Sequence, residues 1–122
     1  MKPGLILFGH GSRDPRWAEP FERLAARVRE QGSAEVRLAY LELMTPDLAT
    51  AAGELIAGGA RSIHIVPVFF GQGGHVRSDL PTLVDALRRR HPGVNFHCAA
   101  AIGEDEAVIE ALAGYCLRVL SP

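Results

Sequence analysis

The sequence predicts an α/β fold: a three-layer structure with an open parallel four-stranded sheet and helices on both faces. Two observations support it. Short apolar runs alternate four times with longer runs whose apolar residues recur at helical spacing. The connections are short, and alternation of this kind makes the strands parallel and places helices across both faces. A chain of 122 residues suits one domain, so we expect a single domain over residues 1–122.

The first strand–helix unit opens the chain. Residues 5–8 are continuously apolar and end at Gly9, as in a strand buried on both faces. Pro20 requires the next helix to begin just before it, because a first-turn amide has no partner within the helix. Gly32 ends that helix, whose apolar face comprises Trp17, Phe21, Leu24, Ala25 and Val28.

The second unit begins with an alternating run over residues 34–42, which predicts a strand near a sheet edge. The apolar face of this strand comprises Val36, Leu38 and Tyr40. Thr45-Pro46 predicts the start of the second helix, and Gly58-Gly59 predicts its end. The apolar stripe of this helix comprises Leu48, Ala51, Ala52, Leu55 and Ile56.

The third unit contains an apolar strand over residues 62–66, followed by Pro67, which cannot donate to a sheet ladder and marks the strand's end. Ser78 or Asp79 is predicted to cap the third helix, with Pro81 in its first turn. The stripe of this helix comprises Leu80, Leu83, Val84 and Leu87.

The fourth unit follows His91 and places a strand over residues 94–100. A closing helix is predicted from apolar residues at helical spacing: Val108, Ala111, Leu112, Tyr115, Cys116 and Val119.

The composition excludes several classes of protein. The apolar fraction is 48% and the net charge is −1, as in ordinary globular domains. Basic residues nearly balance acidic ones without interleaved aromatics, which argues against a nucleic-acid partner. There is no leader pattern or long apolar run, which argues against secretion and membrane spanning. Cys98 and Cys116 lack paired spacing, so we expect a reducing, cytoplasmic location.

Ligands of an open parallel sheet bind beyond the carboxyl ends of its strands. The predicted loops at that edge are residues 9–16, 42–46, 67–78 and 101–106. They bring His10, Glu42 and His75 together from three separate loops. Two imidazoles and a carboxylate suit a borderline divalent metal ion, and they suit acid–base chemistry near neutral pH equally well.

Glu42 has two interpretations. Counting by two from Tyr40 places its side chain on the apolar face, where a carboxylate needs a partner or a proton. The alternative is a chain that turns before Thr45, so that Glu42 faces water. The pattern alone leaves both open.

The sequence around each histidine indicates its role. His10 lies between two glycines after a buried strand, and His75 lies beside a glycine-rich segment. For both we prefer a functional role to that of a hydrogen-bonded turn residue. His64 lies between two isoleucines within a strand and is interpreted as a satisfied core residue or a face residue. His97 and Cys98 point to opposite faces by period two, which argues against a joint metal site. Arg13 and Arg77 either hold ligand carboxylates or are solvated.

Other motif readings are weaker. The segment from Gly9 to Asp14 lacks the third glycine of a dinucleotide fingerprint, and the chain has no Gly-x-Ser-x-Gly elbow of an esterase. A phosphohistidine mechanism ranks third, because Phe8-Gly9 precedes His10 where an arginine would help most.

The chain resembles the class II tetrapyrrole chelatases, and most closely the small single-domain form of sirohydrochlorin cobaltochelatase with its ferrochelatase and nickelochelatase relatives. The resemblance covers essentially the whole chain. Its motifs are Gly9-His10-Gly11-Ser12-Arg13, Leu41-Glu42 followed by Pro46, and Pro67-Val68-Phe69-Phe70 followed by Gly74-His75-Val76 and Asp79-Leu80-Pro81. It implies a flavodoxin-like half-chelatase domain.

The resemblance implies insertion of Co²⁺, Fe²⁺ or Ni²⁺ into sirohydrochlorin, with the metal as substrate and no permanently bound cofactor. It makes His10 and His75 the metal ligands and Glu42 their acidic partner in catalysis. A homodimer is implied as well, because fused relatives make the short form half a cleft. The expected substrate-binding residues are Ser12, Arg13, Phe69, Phe70, Gly73, Gly74 and Arg77.

A second class of function stays open. The same residues would suit a non-catalytic module that binds a metal ion or a tetrapyrrole and delivers it without turnover.

Overall fold

The structure is a computed structural model that describes residues 2–71 and 74–121, with the side chains of residues 74–78 excluded. Its strands pair in parallel in the order β2-β1-β3-β4, which confirms the predicted sheet and the edge position of the second strand. The strands are β1 (Gly4–Gly9), β2 (Glu35–Tyr40), β3 (Ser62–Pro67) and β4 (Asn95–Cys98).

The helices are α1 (Glu19–Gln31), α2 (Leu48–Ala57), α3 (Gly74–Arg90) and α4 (Glu106–Val119), with 3₁₀ turns at Pro15–Ala18 and Ile102–Glu104. Helix α1 begins one residue before Pro20 and is followed by Gly32, as predicted. None of the helices in the described ranges is both long and apolar enough to span a membrane.

Each face of the sheet has its own apolar core. Helices α2 and α3 pack on one face, where Phe8, Ile63 and Ile65 are fully buried. Helix α1 packs on the other face through Phe21 and Ala25. The three-layer prediction is therefore confirmed.

Helix α2 begins at Leu48, so the predicted start at Thr45-Pro46 is wrong. The carbonyl of Pro46 accepts a hydrogen bond from the Tyr40 N–H at 3.0 Å, which ties Pro46 to the end of β2. Asp47 caps the helix instead, because its carboxylate accepts from the Thr50 N–H at 2.8 Å.

Helix α3 begins at Gly74, so the predicted cap at Ser78 or Asp79 is also wrong and Pro81 lies inside the helix. An internal proline removes one helix hydrogen bond and costs about 3 kcal/mol. The same helix buries three large side chains, Leu80, Val84 and Leu87, and each contributes roughly 1.5–3 kcal/mol. All three follow the predicted cap, so their burial stabilises the helix around Pro81 without explaining its extension to Gly74. The loop after β3 is therefore shorter than predicted.

Helix α4 forms over the predicted segment and is capped by Asp105, whose carboxylate accepts from the Val108 N–H at 3.2 Å. None of its residues is buried.

Candidate active site

The carboxyl ends of β1, β2 and β3 are joined by backbone hydrogen bonds beyond the strands themselves. The Leu41 N–H donates to the Gly9 carbonyl at 2.9 Å, and the Glu42 N–H donates to the His10 carbonyl at 3.2 Å. On the other side, the Val68 N–H donates to the Phe8 carbonyl at 2.8 Å. These bonds fix three loops against one another at the edge where the sequence predicts a site.

The side chains of His10 and Glu42 lie side by side across two of these loops. The Nε2 atom of His10 lies 3.4 Å from the Oε1 atom of Glu42. Their side chains are 49% and 57% exposed, so Glu42 does not continue the buried face of β2 and the water-facing alternative holds. The strand ends at Tyr40, and Leu43 takes a φ of 68°, which turns the chain at that point.

Gly11 makes the close contact of these loops possible. Its φ is +101°, a conformation that side chains disfavour, and the carbonyl of Glu42 occupies the space where a Cβ would stand. The same carbonyl accepts from the Met44 N–H at 2.8 Å. A glycine between His10 and Ser12 therefore sets the position of Glu42.

Phe69 forms the apolar wall of the site. Its ring packs edge-on against His10, with centroids 6.2 Å apart, and against Phe8 at 6.1 Å. Phe70 projects outward and is 73% exposed. The Phe70 backbone is set by Gly103, whose N–H donates to the Phe69 carbonyl at 3.0 Å and whose missing Cβ leaves room for the Phe70 carbonyl.

Gly103 belongs to the site architecture and was missed by sequence reasoning. The available signal was a glycine within the loop of residues 101–106, which the sheet rule had already placed at this edge.

Ser12 and Arg13 lie at the rim. The Oγ atom of Ser12 accepts from the Asp14 N–H at 3.1 Å, so this hydroxyl shapes its own loop. Asp14 caps the following turn and pairs with Arg16 at 2.9 Å, and hydrogen bonds from Arg16 lower the pKa of Asp14. Arg13 is exposed and contacts no acidic side chain of the described chain.

Four predicted residues lie wholly or partly outside the described part. Gly73 falls outside it, and Gly74 is described only as the first residue of α3. His75 and Arg77 lie in the first turn of α3, just beyond the carboxyl end of β3, and their side chains are not described. Their roles remain predictions.

The other histidines lie away from this edge. His64 and His97 are paired neighbours on β3 and β4, and their rings stack with centroids 4.8 Å apart. Both are exposed, so His64 is a face residue. Cys98 is near α3, and partial burial raises the pKa of its thiol. Among the described residues, no group of three or more His, Cys, Asp or Glu side chains is placed to hold a metal ion.

A cavity of about 600 Å³ lies at the outer edge of β2 and is lined by Arg29, Arg37, Thr45, Asp47 and Glu54, among others. It does not include His10 or Glu42. The described part of the candidate site is instead an open surface, with an imidazole, a carboxylate and an aromatic ring side by side.

Comparison with known proteins identifies the family of the chain. The CbiX family model matches residues 4–115. A sirohydrochlorin cobaltochelatase of Saccharolobus solfataricus is 33% identical over 115 residues, covering 89% of each chain. A solved structure described as a cobalamin (vitamin B12) biosynthesis CbiX protein from Marinobacter aquaeolei superposes with a TM-score of 0.85 at 33% identity, covering 96% of each chain.

Longer relatives match only in part. The sirohydrochlorin chelatase SirB of Bacillus subtilis subspecies spizizenii, solved in complex with cobalt, has a TM-score of 0.83 at 25% identity. That match covers 98% of this chain and 51% of SirB. Likewise, this chain spans 59% of the sirohydrochlorin cobaltochelatase of Methanococcus aeolicus and 35% of that of Priestia megaterium.

Proposed function

Because the chain belongs to the CbiX family, we propose that it is an enzyme that inserts a divalent metal ion into sirohydrochlorin. Relatives named sirohydrochlorin cobaltochelatase and sirohydrochlorin ferrochelatase support this substrate, and they make Co²⁺ and Fe²⁺ the first metals to test, with Ni²⁺ third. The metal is a substrate here, and the protein needs no permanently bound cofactor. We place the reaction in the cytoplasm, in the synthesis of cobalamin or siroheme.

The observation that carries this proposal is the pair of His10 and Glu42. Their side-chain atoms lie 3.4 Å apart at the carboxyl edge of the sheet, and both remain accessible to a large ligand. Neutral imidazole is a good ligand for cobalt, nickel and iron, and a carboxylate beside it accepts protons.

The chemistry requires both groups. When the metal enters the macrocycle, two pyrrole N–H bonds break and two protons leave, while four ring nitrogens replace the metal's earlier ligands. We assign metal binding to His10 together with His75, and proton acceptance to Glu42. Because Glu42 is more than half exposed, it can pass a proton on to water.

The flat macrocycle needs an apolar surface, and its carboxylates need cations. Phe69 beside His10 and the exposed ring of Phe70 supply the surface. Arg13, which has no acidic partner in the described chain, supplies one cation. Arg77 in the first turn of α3 would supply another, and Gly73-Gly74 would let the backbone approach the ring.

We propose that the active form is a homodimer. The described surface covers one side of a bound ligand, and the 51% match to SirB leaves room in that longer chain for a second unit of this size. A twofold axis would supply the second wall from an identical surface.

The experiment is a metal-insertion assay. Purified protein is mixed with sirohydrochlorin and Co²⁺, Fe²⁺ or Ni²⁺, and the absorbance change is compared with the protein-free rate. We expect acceleration by the wild type and its loss in His10→Ala and His75→Ala with the fold retained. His91→Ala is the matched control and should leave the rate unchanged, because His91 follows the last residue of α3, at the opposite end of that helix from the site.

The second candidate function, a delivery module, makes a different prediction. A module would bind sirohydrochlorin or metal, and the His10→Ala change would weaken binding, but no variant would change the insertion rate above the protein-free value. Wild-type rates in both His10→Ala and His75→Ala, after contaminating metal is removed, would contradict the proposed site.

A further inference from the structure

Gly103 occupies its position for a steric reason and not for a conformational one. It lies in the 3₁₀ turn Ile102–Glu104, and unlike Gly11 it has no positive φ, so its backbone conformation alone would admit an alanine. The backbone of Phe70 occupies the space where a Cβ would stand. Backbone atoms cannot rotate aside as a side chain can, so the loop after β4 and the segment after β3 are fitted to each other at this point.

The segment after β3 is hydrogen-bonded on both sides before it reaches Phe70. The Val68 N–H donates to the Phe8 carbonyl of β1 at 2.8 Å, and the Phe69 carbonyl accepts from the Gly103 N–H at 3.0 Å. Because two neighbouring residues are held by different elements, the backbone at Phe69 has little freedom to rotate. The direction of the Phe69 side chain is therefore set in part by Gly103.

The loop of residues 99–105 is itself anchored to the fold. The Ala99 N–H donates to a carbonyl of β3 at 2.9 Å, which continues the pairing of β4 with β3. Ala101 is 1% exposed, whereas Phe70 on the other side of the contact is 73% exposed. A methyl group added at Gly103 would therefore displace the exposed segment after β3 more readily than the anchored loop.

Phe69 carries this position to His10. Its ring lies edge-on to the His10 imidazole, with centroids 6.2 Å apart and an interplanar angle of 79°. On its other side Phe69 packs edge-on against Phe8, which is fully buried, so the ring of Phe69 rests on the core. Because aromatic rings in contact prefer particular relative orientations, Phe69 limits the rotation of the His10 imidazole.

The imidazole of His10 depends on such a neighbour. The backbone of His10 is held by the hydrogen bond from the Glu42 N–H, but the last side-chain torsion of a histidine is broad and has no single preferred value. Within the described ranges two groups face this side chain: the Glu42 carboxylate at 3.4 Å and the Phe69 ring. The direction in which the ring nitrogens of His10 point therefore depends on these two contacts.

From these contacts we infer that Gly103 is a positioning residue for metal insertion. It holds Phe69, and through Phe69 it holds the His10 imidazole with Nε2 toward Glu42. This inference rests on the proposed function, and it adds the loop after β4 to a site that otherwise comes from the loops after β1, β2 and β3. A ligand that is no longer held in its orientation binds a metal ion more weakly, so the effect of Gly103 should be measurable at His10.

The NMR signals of the His10 imidazole test the inference in metal-free protein. An aromatic ring shifts the resonances of nearby protons, so the ring C–H signals of His10 report whether Phe69 keeps its place. We expect Gly103→Ala to move these signals and to leave those of His91, which follows the far end of α3, unchanged. Gly71→Ala is the matched control, because a Cβ at Gly71 meets no described atom within 4 Å. Unchanged His10 signals in a folded Gly103→Ala protein would overturn the inference.

Zinc binding measures the consequence at the metal ligand. Zn²⁺ is a diamagnetic ion that imidazole binds well, and a titration followed on the His10 signals is not disturbed by binding at other histidines. We expect Gly103→Ala to raise the half-saturating Zn²⁺ concentration about 10-fold or more, since loss of an orienting partner typically costs a metal site about 10–100-fold in affinity. Gly71→Ala should keep the wild-type value. Equal Zn²⁺ affinities in all three proteins would contradict the positioning role of Gly103.

A double variant shows whether Gly103 acts through Phe69. Phe69→Leu keeps an apolar side chain but removes the ring, so it should weaken Zn²⁺ binding at His10 by a similar factor. Gly103→Ala should then add nothing to Phe69→Leu, whereas two independent effects would multiply. Multiplied effects would overturn the inference. So would a Phe69→Leu protein with wild-type Zn²⁺ affinity, and this result decides even if Gly103→Ala fails to fold. None of these measurements uses sirohydrochlorin, so the inference and the proposed function can fail separately.

Discussion

Glu42 is positioned by its backbone rather than by burial of its side chain. Its N–H donates to the His10 carbonyl, and its own carbonyl fills the space beside Gly11. The carboxylate therefore stays beside His10 while more than half of it contacts solvent. A carboxylate with this exposure suits a proton acceptor, because it can return protons to water. It also lies close enough to His10 for the charge of a metal ion bound there to act on it.

We expect Glu42→Gln to lower the turnover number of metal insertion by about 10²–10⁴, because the amide keeps the size of the side chain but cannot take up a proton. Binding of metal and sirohydrochlorin should stay near the wild-type level, measured by titration calorimetry beside steady-state rates.

Glu54→Gln is the matched control for this substitution. Glu54 is 53% exposed and pairs with Arg37 at 3.5 Å, so it resembles Glu42 in exposure and pairing but lies away from the site. It should keep the wild-type rate. If Glu42→Gln keeps its turnover and loses only stability, the carboxylate is structural and proton removal belongs to a histidine or to water.

Gly11→Ala should disturb the geometry of the site while the rest of the fold stays intact. The φ of +101° costs an alanine about 1–2 kcal/mol, and its Cβ would displace the Glu42 carbonyl. We expect insertion to fall at least tenfold, with the His10–Glu42 pair disturbed. Insertion rates measure the effect on the site, and urea unfolding curves measure the effect on the stability of the fold.

Gly53→Ala provides the comparison, because a Cβ there meets nothing within 4 Å. Gly53 lies within α2, so alanine should stabilise the protein by up to about 1 kcal/mol without changing the rate. A Gly11→Ala enzyme as fast as Gly53→Ala would refute the positioning role of Gly11.

His10 and Glu42 were predictable because they follow adjacent parallel strands, whose carboxyl ends meet at one edge. The direction of the Glu42 side chain was not predictable from the sequence. It depends on a turn in which Leu43 adopts a positive φ, and leucine gives no sequence signal for that conformation. The contact of Gly103 with Phe70 was also hidden, because it joins loops that follow different strands.

The first residue of α2 is determined by a contact with the end of β2 and not by the local helix-start signals alone. Both Pro46 and Asp47 are ordinary helix-start residues, and their order in the sequence favours neither. The hydrogen bond between Tyr40 and Pro46 assigns the proline to the strand end. In α3, burial of Leu80 before Pro81 and of Val84 and Leu87 after it stabilises a helix that passes through the proline.

Asp47→Ala should destabilise the protein by about 1 kcal/mol at neutral pH, because it removes the cap of α2. Hydrogen bonds from Thr50 lower the pKa of Asp47, so the charged form is favoured in the folded state. Its contribution is fully present above the pKa of an unfolded aspartate and is lost as the pH falls through the depressed folded value.

Urea unfolding at fixed protein concentration checks this pH dependence. The gap in unfolding free energy between wild type and Asp47→Ala should narrow as the pH falls through that range. Asp47→Asn, which caps without a charge, should show no such narrowing relative to Asp47→Ala. A gap that stays constant at every pH would mean that the charge of Asp47 does not contribute.

The arrangement of the whole chain was largely predictable, and the packing of α4 was not. Four alternating units define a parallel sheet with helices on both faces, and the observed strand order is one of its ordinary solutions. The apolar stripe of α4, in which Leu112, Tyr115 and Val119 are 42%, 61% and 67% exposed, indicates that the helix needs a partner surface. The sequence of the stripe does not show whether that surface belongs to the same chain.

We expect metal insertion to require the proposed dimer. The pair of His10 and Glu42 lies on an open part of the described surface, and Phe70 beside it is 73% exposed, so these residues cover only one side of a macrocycle. Leu112→Asp leaves all of these residues unchanged and places a charge on the exposed apolar face of α4, where it should weaken association through that face. We expect its insertion rate at low sirohydrochlorin concentration to fall at least tenfold, mainly through a higher KM.

Dilution of the wild type supplies the independent check on this requirement. Its specific activity should decline over the same range of protein concentration in which light scattering shows dissociation, because both report one equilibrium. Leu83→Asp is the control, since Leu83 is similarly exposed, at 38%, but lies on α3 and not on α4. A monomeric Leu112→Asp protein with wild-type kcat/KM would show that one chain holds the complete site, and the second wall would then have to come from the chain's own segment after β3.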